Sequence, residues 1–254
     1  MKIIILIIIT LLVPFIALAQ FDIDFEDLFF NEYQAGSYVV IKNIDLIWSA
    51  DTYTPYEYQG RALPSQGSGV TVEAIVNSVS GDPNGLKYSW FLDNIFQKNK
   101  SGYAKDTFNF NVNHGTGAHY TIKVQIFNDD RSVFQERTIK IPIVGPELII
   151  YPSNGNAHFS DQTTKVSSVL SDKRFSFVAK PYFFSIKKLT DLTFEWQFPG
   201  QDPIISSDYD ANVLGLTISG KMDEEILKND LKVNALNKAN PVQRASQTIN
   251  LEIY

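Results

Sequence analysis

Hydrophobic and polar residues alternate along most of this chain, and the alternation is written twice around a tryptophan. In Leu86-Lys87-Tyr88-Ser89-Trp90-Phe91, and again in Leu192-Thr193-Phe194-Glu195-Trp196-Gln197-Phe198, large apolar side chains take every second position up to the Trp. The residues between them are mostly polar. A period of two with one apolar face marks a strand half-buried in a sandwich or barrel, and Trp90 and Trp196 are expected to fill two cores. The same period runs through Ile44 to Ser49, through Val70, Val72, Ala74 and Val76, and through Phe108-Asn109-Phe110-Asn111-Val112. It continues in Tyr120, Ile122, Val124 and Ile126 and in the closing Ile139-Lys140-Ile141-Pro142-Ile143. Turn formers separate these runs: Gly81-Asp82-Pro83-Asn84-Gly85, Gly115-Thr116-Gly117 and Asn128-Asp129-Asp130. Short strands at such spacing predict an all-β sandwich.

A second copy of this order follows Val144-Gly145-Pro146, a short joint that Pro stiffens into an elbow. Glu147 to Tyr151, Phe175 to Lys180, the Trp196 strand, Leu214-Leu216-Ile218, Leu231 to Ala235 and Ile249 to Ile253 are its strands. Two features set it apart. One is a Ser/Asn/Thr-rich insertion from Ser153 to Lys173. The other is Met222-Asp223-Glu224-Glu225-Ile226-Leu227, whose early acids suit one helical turn. The expected organisation is a leader over 1–19, an acidic-aromatic segment over 20–35, and two consecutive antiparallel sandwiches over 36–144 and 146–254.

The leader is read from Lys2, the apolar run Ile3 to Leu18, and the small-x-small site Ala17-Leu18-Ala19 before Gln20. It predicts export to the periplasm, the cell surface or the medium. The rival reading is a retained membrane anchor, for which the run is slightly shorter than the ~20 residues a spanning helix needs. The chain has no Cys, so the sandwiches must hold by burial rather than by disulfides. Its 18 Phe, 12 Tyr and 3 Trp supply large burial per residue. A net charge of −6 without a basic run argues against nucleic acid as a partner.

The repeated unit resembles the immunoglobulin-like domains of the PKD kind found on bacterial and archaeal surface proteins. The resemblance rests on Tyr88-Ser89-Trp90-Phe91-Leu92-Asp93-Asn94, on Tyr120 through Asp129, and on Phe194-Glu195-Trp196-Gln197-Phe198-Pro199-Gly200. The family's Gly-Asp-Gly turn after the Trp strand is missing from both copies. The resemblance implies extracellular spacers and binding modules, and it brings no catalytic residues.

No nucleophile elbow, phosphate loop or dinucleotide fingerprint occurs, and His114, His119 and His158 follow no zinc spacing. The chain is therefore read as non-enzymatic and without a cofactor. Calcium is the one ion worth testing, through Asp129-Asp130 and Asp208-Tyr209-Asp210, although solvated turn acids explain both pairs. The long connection from Ala50 to Gly69 carries Tyr53, Tyr56, Tyr58 and Arg61 after Trp48. Tyr faces beside an Arg stack on sugars or anchor an interface; equally, these rings close the first sandwich or fill its joint with the second. The leading expectation is an interaction module presenting loops or edge strands to a protein of the cell envelope. The alternative is a carbohydrate-binding module using the Tyr-rich loop. A third is self-assembly, with Phe21 to Phe30 donated to a neighbour's sheet.

Overall fold

The structure is a computed structural model that describes residues 39–153, 166–169, 174–206, 208–217 and 227–253. The leader, the acidic-aromatic segment, His158 and most of the expected helical turn lie outside the described residues.

Among the described residues the first sandwich is built from β1 (Val40–Ala50), β2 (Gly69–Ser80), β3 (Lys87–Leu92), β4 (Ile95–Phe96), β5 (Gly102–Tyr103), β6 (Thr107–Asn111), β7 (His119–Phe127) and β8 (Phe134–Pro142). One sheet runs β1-β2-β6. The other runs β4-β3-β7-β8, with β5 also paired to β3. All pairings are antiparallel, with Trp90 opposite Val124 and Val72 opposite Phe108. The β3–β4 hairpin turns on Asp93 and Asn94, both at positive φ (49° and 67°). Asp and Asn tolerate that conformation, and it matches the twist of the flanking strands.

The second sandwich uses β9 (Glu147–Ser153), β10 (Val166–Val169), β11 (Arg174–Tyr182), β12 (Leu192–Gln197), β13 (Ile204–Ser206), β14 (Val213–Thr217), β15 (Leu227–Asn237) and β16 (Arg244–Ile253). Its sheets run β9-β11-β14 and β13-β12-β15-β16-β10. The order repeats that of the first sandwich, except that among the described residues β5 has no counterpart here and β10 is added, pairing in parallel with β16. Both units are Ig-like sandwiches: two facing sheets, antiparallel except at the β10–β16 pair, with the Trp on an interior strand of the larger sheet.

The two tryptophans are held alike. The Trp90 indole N–H donates to the carbonyl of Lys105 at 2.7 Å, and that of Trp196 donates to Ala211 at 3.0 Å; both acceptors lie fifteen residues downstream. Each ring is buried in its own cluster, Trp90 stacking on Phe108 at 5.5 Å and Trp196 lying with Phe194, Phe177 and Leu214. Burying such a ring is worth about 4–6 kcal/mol relative to leaving it in water. The tether satisfies the one polar atom that this burial would otherwise strand.

Two local expectations change. Residues 153–173, expected as a polar insertion, contain strand β10, whose backbone continues the sheet beyond β16. Leu227, expected to end a helical turn, instead opens β15 opposite Ile253.

Candidate functional site

The connection between β1 and β2 leaves the first sandwich and packs on the second. Tyr53 forms an antiparallel bridge with Phe184, its N–H donating to the Phe184 carbonyl at 2.7 Å while its own carbonyl accepts from Phe183 at 2.8 Å. The Tyr53 ring packs against the second sandwich's core. Further along, Ser65 bridges in parallel to Val144, and the Val144 N–H donates to Pro64 at 3.0 Å. Both ends of the connection are thus pinned.

Between those ends lies a buried polar network. Ser65 and Gln243 are fully buried although both are polar. The Gln243 amide donates to Ser65 Oγ at 2.8 Å and to the Gln66 carbonyl at 2.9 Å. Its Oε1 accepts from the Ser185 N–H and from Asn237 Nδ2, each at 2.8 Å. Ser65 Oγ in turn donates to the Phe183 carbonyl at 2.6 Å. A primary amide offers two donors and two acceptor positions, so Gln243 is fully satisfied without water. Gly67 lies beside it at φ +90°, and a Cβ there would run into Asn240 of the second sandwich. Phe183 also sits at positive φ (62°). A bulky residue in that region stores about 1–3 kcal/mol of strain, held by the bonds to its own N–H and carbonyl.

Beside this network the two sandwiches enclose an open groove of about 900 Å³. Tyr53, Pro55, Tyr56 and Glu57 form the wall from the first sandwich; Lys180, Lys188, Tyr209 and Asp210 belong to the second, with Val178 and Val213 on the same side. Lys180 bridges the walls. Its ammonium pairs with Glu57 and lies 4.5 Å from the Tyr151 ring centroid. The hydrogen bond from Lys180 holds the Glu57 carboxyl below the usual carboxylate range. Burial, with the Glu57 charge adding to it, raises the Tyr53 phenol. Tyr56 is fully exposed at the tip of a turn closed by the Tyr58 N–H on the Pro55 carbonyl at 3.0 Å, and Tyr209 is 83% exposed.

Of the residues singled out in the Tyr-rich connection, Tyr53 and Tyr56 line the groove. Tyr58 instead meets Tyr182 and Phe183 edge-on, at 5.5 and 5.9 Å, inside the joint. Arg61 covers Trp48 at 4.6 Å and takes no part in the groove. The candidate calcium ligands are not brought together. Asp129 pairs with Lys87 at 2.5 Å and accepts from Tyr103, and Asp130 accepts from the Ser132 backbone and hydroxyl. Hydrogen bonds from these partners lower both carboxyls. Asp208 bonds Ser206, and Asp210 alone of the four reaches the groove. Among the described residues no three His, Cys, Asp or Glu side chains gather as a metal centre requires. His114 stacks on Tyr120 at 4.0 Å. Sequence reasoning missed Gln243, Lys180 and the part Tyr209 plays, because each gains its role from a partner more than a hundred residues away or across the joint. Asn240-Pro241-Val242-Gln243 reads locally as an ordinary turn.

No family model matches the sequence, and no curated protein matches it. Among solved structures the chain is similar to three N-terminal domains of the bacteriophage RB49 Highly Immunogenic Outer Capsid protein, at 15% identity and a TM-score of 0.43, covering 85% of this chain and 59% of that one. It is similar to the Bacteroides ovatus mixed-linkage glucan utilization locus protein SGBP-B in complex with a mixed-linkage heptasaccharide, at 12% identity and a TM-score of 0.26, covering 84% and 47%. It is also similar to the central fibronectin-III array of RIM-binding protein, at 11% identity and a TM-score of 0.26, covering 76% and 66%. The chain thus spans about half to two thirds of the length of these structures. The strand order, rather than these distant likenesses, carries the conclusion that the protein is a tandem of Ig-like β-sandwiches.

Proposed function

We propose that this chain is a non-enzymatic, exported interaction module of the cell envelope or surface, and that it works by presentation. Two sandwiches clamped at a fixed elbow hold loops and free strand edges in set positions for a protein partner. The observation that carries this reading is the buried network around Gln243, which ties Ser65 and Gln66 of one sandwich to Ser185 and Asn237 of the other. A flexible tether needs no such network, whereas a preorganised surface gains affinity because less freedom is lost on binding. Export rests on the leader-like sequence from Lys2 to Ala19, and the PKD-like kinship on the Trp-strand motifs.

The test is in-cell cross-linking followed by identification of what is captured. The mature chain should begin at Gln20, fractionate with the envelope or the medium, and capture a defined protein. A Gln243→Ala/Ser65→Ala variant, loosened at the elbow but still folded, should capture less of it. Retention in the cytoplasm would overturn the export reading. Equal capture by the loosened variant would overturn presentation by a fixed elbow.

A further inference from the structure

We propose that the groove along the joint binds a neutral oligosaccharide. The two rings with the freest faces in the groove, Tyr56 and Tyr209, come from opposite sandwiches. Both are held on closed turns rather than loose ends. Tyr56 follows the Pro55 carbonyl that the Tyr58 N–H reaches; Tyr209 lies inside the turn in which Ala211 N–H donates to Asp208 at 3.2 Å and Val213 N–H to Asp210 at 2.8 Å. A phenol ring offers an apolar face to the C–H face of a sugar and a polar tip to its hydroxyls. Val213, 38% exposed, extends the apolar surface beside them.

Charge decides the ligand class. Lys180 and Lys188 face the same groove as Glu57 and Asp210, so two positive charges meet two negative ones. An anionic or cationic ligand gains no net attraction there. A hydroxyl, which both donates and accepts, can bond to either sign. The volume of about 900 Å³ lies within the range of sites that take small ligands. The groove is poorly suited to a peptide strand, because the sheet edge β14 contributes only its first residue, Val213, and so offers no length of ladder. The Tyr53–Phe184 bridge and the Glu57–Lys180 pair fix the walls before any ligand arrives. This site is independent of the protein-partner reading, which is tested by capture on cells and stands or falls separately.

The experiment is calorimetric titration of the full chain with uncharged soluble oligosaccharides of glucan, mannan, xylan and chitin type, with a pool of short unstructured peptides in parallel. At least one saccharide type should bind with a Kd of about 1 mM or tighter. Tyr56→Ala and Tyr209→Ala should each weaken it by roughly tenfold without moving the thermal melt. Tyr103→Ala, at a tyrosine remote from the groove, should leave binding unchanged. Absence of binding to every saccharide type overturns the proposal, and so does binding that survives both groove substitutions. Peptide binding that both substitutions abolish, without saccharide binding, also overturns it and reassigns the groove.

Discussion

Gln243 carries four bonds with one amide, so its removal leaves the Ser185 N–H and one of the two Asn237 Nδ2 hydrogens without an acceptor, the other Asn237 hydrogen staying on the Ser185 carbonyl at 3.2 Å. Each abandoned donor costs about 1–3 kcal/mol. Gln243→Ala should therefore lower stability by roughly 2–4 kcal/mol, read as a lower midpoint in urea. The tryptophans allow a sharper comparison. Trp90→Phe and Trp196→Phe each keep a ring but leave one carbonyl, of Lys105 or Ala211, without its indole donor. The two variants should lose similar stability, about 1–3 kcal/mol each; a large difference would mean that the two sites are not equivalent. Glu57 makes the joint sensitive to acid. Its folded-state pKa lies below the usual 4.5, so its pairing with Lys180 contributes above that value and is lost as the pH falls through the lowered one. The contribution is small because Glu57 is half exposed. The Tyr151 ring resonances, which sense Lys180, should shift as the pH falls through that lowered value, and Glu57→Gln should abolish that shift. The tryptophans were legible because alternation announces a half-buried strand. Gln243 was not, since its burial is supplied by the other sandwich and local pattern carries no trace of it.

At the scale of elements, the long strands followed from period-two runs, and the two copies followed from each other. The short ones did not. β4, β5 and β13 span two or three residues, too few for a period to show, and β10 hides in a polar stretch because its link to β16 is made by backbone. The same shortness limits a liability. β4 and β13 are equivalent edge strands, and both leave large apolar side chains in water: Ile95 and Phe96 on one, Ile204 and Ile205 on the other. Unprotected apolar edges invite pairing with a second chain. Ile205→Lys should reduce self-association at high concentration, measured by light scattering, while changing stability by no more than about 0.5 kcal/mol. The Tyr-rich connection was legible as functional or packed, but not divisible. Only the fold separates Tyr56, set in the groove wall, from Tyr58, which is spent on the joint.

At the scale of the molecule, two cores of separate composition would ordinarily melt as two units. The joint couples them, so calorimetry should show one transition. Adding Ser65→Ala to Gln243→Ala should split it into two, because the substitutions share one network and dissolve the coupling together. Two sandwiches in tandem could be read from the duplicated Trp strand; their fixed relation could not, being written in contacts such as Gln243 with Ser65 that no local pattern encodes. That relation and the parallel β10–β16 pair have a mechanical consequence. The path of the backbone enters the first sandwich along β1, crosses at the elbow, and leaves along β16, which starts beside Gln243 and runs away from it. Tension between Val40 and Ile253 therefore slides β16 lengthwise past both β15 and β10 instead of peeling it away. Bonds strained sideways in concert yield together rather than one after another, so pulling the second sandwich apart along the chain should take more force than peeling β16 from one end.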